Sequence, residues 1–164
     1  MAQTDLFPVD RYIVDTSSLV DVQNEDKPAK VWDGIYRLID ASRMQTPSAA
    51  FPEITRMADA GKIPSDAFER LKTKKGIFTI PDKELIIAAG EIVHRHAHIE
   101  AWRHSGNPAD PWIVAAAKQR RWTVVTEERD TGPKKNKRIP WVCEKEGVLW
   151  IRVRHLVEKE KFFS

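Results

Sequence analysis

Cysteine is nearly absent from this chain: Cys143 is the single one in 164 residues. An intrachain disulfide and a cysteine-rich zinc site are thereby excluded, and a reducing cytoplasm is the expected location. Cys143 itself reads as a small buried hydrophobe. Long apolar runs are also missing, so no segment is expected to span a membrane. Met1 to Asp10 carries two acids and a proline where an export signal needs a basic start and an apolar stretch. No repeat, low-complexity tract or linker divides the sequence, and a single domain over residues 1–164 is expected. Net charge is small, at +3, but unevenly placed. Lys118 to Ser164 holds 13 Lys/Arg against 7 Asp/Glu, a basic C-terminal third that permits nucleic-acid binding without requiring it.

What is present suffices for one core: 41% hydrophobic residues, including six tryptophans. Tyr12-Ile-Val14 is a short β-prone apolar run, which Asp15 and a Thr/Ser cluster turn into a helix from Thr16 to about Val22. Ala29 to Ser42 places Val31, Ile35, Leu38 and Ile39 on one helical face, and a strand then reaches Thr46. Pro47-Ser48 opens a third helix with Phe51, Ile54 and Ala58 on its apolar face, Pro52 in its first turn and Gly61 at its end. A helix over Ser65 to Lys74 precedes the apolar Ile77 to Ile80. Asp82 is expected to cap the longest helix, Lys83 to about Arg103, burying Leu85, Ile86, Ala89, Ile92, Val93 and Ile99. Asp110-Pro111 starts a helix, Thr123 to Thr126 is a buried strand, and Ile139 to Glu146 is a short helix. Leu149 to Val153 reads as a last strand before a helix from His155. Strands alternating with helices predict an α/β protein, a three-layer α/β/α sandwich with a mostly parallel sheet of four to five strands.

Acids recur at the ends of these elements. Asp15 stands at the C-terminal end of the first strand, where a parallel sheet opens its ligand crevice; it is either a helix cap or a metal ligand. Glu53, at the edge of its helix's apolar face, is either at a crevice rim or a favourable charge in a first turn. Asp110 before Pro111 has the form of an N-cap, yet stands above the buried side of its helix. Glu127 and Glu128 follow a strand, and at least one should overhang the sheet edge. Asp21 reads as a solvated surface acid, and Asp130 as either a solvated loop acid or a further member of the set. Mg²⁺ and Mn²⁺ are hard ions that prefer several ionised carboxylates gathered in one place, and strand ends around one crevice gather acids distant in sequence.

Read in order, Tyr-Ile-Val-Asp-Thr-Ser-Ser, Pro-Glu-Ile, Ala-Asp-Pro-Trp-Ile-Val-Ala-Ala-Ala and Val-Val-Thr-Glu-Glu resemble the PIN-domain nucleases across nearly the whole chain. The Asp-Pro-Trp start and the Ile-Pro-Trp-Val-Cys-Glu-Lys-Glu-Gly-Val tail are similar to a bacterial PIN-like branch near the VapC toxin group. The resemblance implies metal-dependent endoribonuclease activity with Mg²⁺ or Mn²⁺, 5′-phosphate and 3′-hydroxyl products, a small antitoxin partner and a homodimer. It makes Asp15, Glu53, Asp110 and Glu128 the catalytic, metal-holding acids, with Glu127 the alternative fourth. Ser17 matches the polar position that supports the first acid, and Thr126 a supporting position at the fourth. The departure is the fourth acid, commonly aspartate and here glutamate.

Lys134, Lys135, Lys137 and Arg138 follow the fourth acid, in a loop that is either solvated or in contact with an RNA backbone. Trp112 and Trp141 suit core or rim packing, with base stacking as the alternative. Glu91, His94 and His98 fall opposite the apolar stripe and read as an exposed polar face, while His96 falls on it as a hydrogen-bonded core histidine. The competing function is a non-catalytic PIN-like module that binds RNA or a partner. A phosphatase with Asp15 as nucleophile lacks its usual second aspartate two residues on, where Ser17 stands.

Overall fold

Tyr12, Ile13 and Val14 form strand β1 (Tyr12–Val14). All three are buried although successive strand side chains face opposite ways, so both faces of the sheet at β1 are covered. The computed structural model describes residues 9–104, 108–130, 132–134 and 137–164. Within them β1 lies between β2 (Met44–Pro47) and β4 (Thr123–Val125), with β3 (Phe78–Thr79) and β5 (Trp150–Ile151) outermost. The order is β3-β2-β1-β4-β5 and every neighbouring pair is parallel, with Tyr12 opposite both Met44 and Thr123. The chain winds outward from β1 through β2 and β3 on one side and reaches β4 and β5 on the other. The C-terminal ends of β1 and β4 are therefore the switch point, where a doubly wound sheet leaves room for a ligand.

Helices flank this sheet as α1 (Thr16–Asp21), α2 (Pro28–Asp40), α3 (Phe51–Asp59), α4 (Ser65–Thr73) and α5 (Lys83–Arg95). They continue as α6 (Glu100–His104), α7 (Asp110–Arg120), α8 (Ile139–Glu146) and α9 (Val153–Lys159). The three-layer α/β/α reading holds, and α2 buries Val31, Ile35, Leu38 and Ile39 as their spacing requires. Ile113, Val114, Ala115, Ala116 and Ala117 make α7 apolar on nearly all sides. Such a helix belongs in the interior, and α7 packs between α5 and β1. No helix among the described residues is long and apolar enough to cross a membrane.

Four boundary or burial expectations are corrected. The long helix stops at Arg95 and resumes as the separate α6. Residues 96 and 98 of a straight helix would point about 200° apart. The break instead packs the rings of both His96 and His98 edge-on against Trp141, so His98 is half-buried rather than on an exposed face. Second, α5 buries the narrower stripe Leu85, Ala89 and Ile92, leaving Ile86 51% exposed and Val93 half-buried. Third, α9 begins at Val153 rather than His155 and β5 is shorter than expected, because the Val153 N–H donates to Glu127 Oε1 at 2.6 Å instead of extending the sheet. Fourth, Phe51 is 38% exposed, its ring meeting Phe68 and Phe78 at the edge of the core.

The C-terminus closes on α2 through Phe162, whose ring occupies the space a Cβ at Gly34 would need. Gly34→Ala is expected to lower stability by about 1–3 kcal/mol, as overpacked core positions do, despite alanine's better helix propensity. Urea denaturation reads this directly; a variant as stable as the parent would show that Phe162 moves aside without cost.

Candidate functional site

Asp15 takes the N-cap position of α1, but its carboxylate does not cap. Ser17 Oγ donates to Asp15 Oδ2 at 2.6 Å and Thr126 Oγ1 donates to the same oxygen at 3.0 Å. Each hydroxyl in turn accepts a backbone N–H beyond β4: Ser17 Oγ from Glu127 at 3.0 Å, Thr126 Oγ1 from Glu128 at 3.2 Å. Two strand ends are thus tied through one acid. A side chain with that many fixed contacts, only 2% exposed, is oriented before any ligand arrives.

A crevice of about 640 Å³ opens beside the other acids, and Asp15 lies buried behind its lining rather than on it. Pro47, Pro52 and Glu53 line it from the β2 side, Trp102, Asp110 and Trp112 from α6 and α7, and Glu128 from the end of β4. Asp110 is the first residue of α7 rather than its cap, a role that falls to Ala109. Proline in the first turn needs no N–H partner, which leaves the Asp110 carboxylate free to turn into the crevice, where Trp102 Nε1 donates to its Oδ2 at 3.4 Å.

The acids sense one another. Burial pushes Asp15 above the usual carboxylate range, against the hydroxyl hydrogen bonds that favour its charge. Glu53 is raised by burial and then by the charge of Asp15, with Arg56 opposing. Burial, Asp15 and Glu53 push Asp110 up to about 7, while Trp102 and Arg138 pull it down. Burial, Asp110 and Asp15 push Glu128 up to about 9, against the Ile139 N–H and Arg138. Like charges in a sheltered site raise each other in this way, and Arg56 and Arg138 offset the effect only in part.

The adjacent glutamates serve different ends. Glu127 turns away to receive the Val153 N–H at the start of α9. Glu128 lines the crevice, and Arg152 holds its backbone by donating to the carbonyls of Thr126 at 3.0 Å and Glu128 at 2.6 Å. Asp130 is exposed, as expected of a solvated acid, and also receives the Arg138 N–H at 2.7 Å. Of the basic run, Arg138 lines the crevice and lies 4.0 Å from Glu128. Lys134 is exposed and Lys137 half-buried, neither among the crevice residues; Lys135 lies outside the described residues.

Arg56, Trp102 and Arg152 were not singled out by sequence. The Glu53–Arg56 spacing of one helical turn was the available signal for Arg56, whereas Trp102 and Arg152 meet the acids only through the tertiary fold.

The donor set suits a hard divalent ion: all carboxylate oxygens, mutually raised, with the buried Thr16 hydroxyl beside Glu53 lacking a hydrogen bond of ordinary geometry. Among the described residues no three acids, histidines or cysteines form a ready-made coordination sphere.

The model of the family described as "Domain of unknown function (DUF4411)" matches residues 12–163. No curated protein matches the chain. Among solved structures, DNA-bound VapBC from Salmonella typhimurium is 19% identical, covers 88% of this chain and 99% of its own, and superposes with a TM-score of 0.52. FitAcB from Neisseria gonorrhoeae is 21% identical over 88% of this chain and 99% of its own, with a TM-score of 0.47. At such identity the VapBC likeness is one of fold, and the PIN-like α/β/α fold anticipated from the motifs is the fold observed.

Proposed function

The chain belongs to the DUF4411 family, and from that premise we propose that its crevice is the active site of a Mg²⁺- or Mn²⁺-dependent endoribonuclease, the toxin of a cytoplasmic toxin-antitoxin pair. The observation that carries the reading is the meeting of Asp15, Glu53, Asp110 and Glu128, from four separate segments, at the switch point of the sheet. These acids would hold the ion, directly or through water. A bound ion would polarise water toward a phosphodiester and neutralise the charge that develops on its oxygens.

The remaining work falls to the chain itself. Ser17 and Thr126 fix Asp15, so that the innermost ligand needs no reordering. Trp102 orients Asp110 and, with Pro47, Pro52 and Pro108, lines the crevice. Arg138 draws a phosphate toward the acids that would otherwise repel it. An antitoxin partner and a homodimer belong to the proposal through the likeness to the VapC group, and the shared fold with VapBC supports it.

The test is incubation with total cellular RNA in Mg²⁺, in Mn²⁺ and in chelator. Metal-dependent fragments with 5′-phosphate ends are expected. RNA that is bound yet left whole in both metals would favour the second reading, a non-catalytic RNA-binding module, toward which the absence of a ready-made coordination sphere among the described residues points.

The two glutamates separate within the same assay. Glu128→Gln is expected to reduce cleavage by roughly 10–100-fold, the usual cost of losing a metal-site partner. Glu127→Ala is expected to retain cleavage while losing about 1 kcal/mol of stability, the value of a helix N-terminal acceptor. The opposite pattern would reverse their roles.

A further inference from the structure

We propose that Arg56 is a phosphate-binding residue that grips the RNA strand on the side of the crevice opposite Arg138. The proposal rests on the nuclease reading for the identity of its ligand, and on independent geometry for the site. Arg56, three residues after Glu53 and four after Pro52, shares with them the α3 face on the crevice wall. Arg56 is exposed, and although its charge acts on Glu53 one helical turn earlier, its guanidinium enters no hydrogen bond or close ion pair among the described residues. That is unusual company for the described arginines near acids here: Arg95, Arg138 and Arg152 each have a carboxylate or carbonyl partner.

Topology places the two arginines apart. Arg56 belongs to the helix after β2 and Arg138 to the segment after β4, and these strands flank β1 on opposite sides. A chain of phosphates crossing the switch point would therefore meet a guanidinium on either side of the acids. Such a crossing needs them, because carboxylates gathered in one crevice repel a phosphate and a guanidinium on either side offsets that repulsion. Arg56 near the end of α3 also favours the helix dipole, but a lysine or arginine on any face of that last turn would serve the dipole equally. Its position on the crevice wall is what the dipole does not require.

A guanidinium offers several N–H donors to one phosphate, and each phosphate neutralised on a single strand contributes about 0.7 to the slope of log K against log salt. The experiment measures binding of a fluorescein-labelled single-stranded RNA of about 12 nucleotides, in Mg²⁺, between about 50 and 200 mM KCl, over which that slope is linear. Wild type, Arg56→Ala, Arg56→Lys and the exposed control Lys30→Ala are compared after their thermal transitions are shown to agree. Where the RNA is cut, KM over the same salt series replaces Kd.

Arg56→Ala is expected to weaken binding roughly tenfold at the lowest salt and to flatten the slope by about 0.7, with Arg56→Lys restoring most of the slope and Lys30→Ala changing neither. An Arg56→Ala slope equal to wild type overturns the proposal, as does wild-type protein that binds no RNA at all. Binding with the expected slopes but no cleavage in either metal would leave Arg56 in place and remove the nuclease reading instead.

Discussion

Asp15→Asn and Asp110→Asn are expected to abolish cleavage of total RNA, each by roughly 10²–10³-fold, the scale of removing one fixed charge-stabilising group from an active site. Asparagine keeps the shape and one acceptor oxygen of aspartate, so Ser17 and Thr126 can still bond to residue 15, and Trp102 to residue 110. What is lost is one negative charge toward the ion. Neither variant should unfold. In the metal-free protein Asp110 is pushed up to about 7 by burial and by its acidic neighbours, so removing its charge relieves repulsion above that pH. The decisive comparison is therefore cleavage against thermal transition in chelator: activity falls while the transition holds or rises. Cleavage at the wild-type rate by both variants would sink the site assignment, whatever became of the fold.

The second large effect lies outside the crevice. Glu146→Gln is expected to cost about 2 kcal/mol at neutral pH, or a fall in Tm of roughly 4–8 °C for a domain of this size. The Glu146 side chain is only 6% exposed and receives Arg95 Nη2 at 2.5 Å, His96 Nε2 at 3.0 Å and Lys118 Nζ at 3.1 Å. The Arg95 hydrogen bond first, then those from His96 and Lys118, hold its carboxyl down at about 2. A depressed carboxylate stabilises the fold above its unfolded pKa, and that contribution fades as pH falls from about 4.5 toward 2. The gap between wild type and Glu146→Gln should accordingly be full at pH 7 and shrink steadily below about pH 4.5. A gap independent of pH would show that shape, not charge, is what Glu146 contributes. The cluster reaches the crevice too, since His96 packs edge-on against Trp102, which donates to Asp110.

Much of the fold was readable because local patterns and tertiary demands agree. The continuous apolar words Tyr12 to Val14 and Thr123 to Val125 became strands buried on both faces, and Asp82 caps α5 through the Leu85 N–H as its position before the helix foretold. His96, expected to be a hydrogen-bonded core histidine, is one. The failures share a cause. The break after Arg95, the early start of α9 and the inward turn of the Asp110 carboxylate each depend on a partner in another element: Trp141, Glu127 and Trp102 respectively. Helical periodicity carries no information about such partners, and it extended the long helix straight through residues whose rings were needed elsewhere.

The candidate site divides in the same way. By itself the sequence determined which acids stand at element ends, because a strand end, a turn and a helix start are local matters of apolar runs, Thr/Ser clusters and proline. It thereby placed Asp15, Glu53, Asp110 and Glu127/Glu128 in contention together. Only the tertiary structure decided which way each carboxylate faces: Glu128 into the crevice and Glu127 toward the Val153 N–H, Asp15 toward two hydroxyls, one in α1 and one just after β4. The physical reason is that direction is set by competing partners across parallel strands whose register joins residues more than a hundred positions apart.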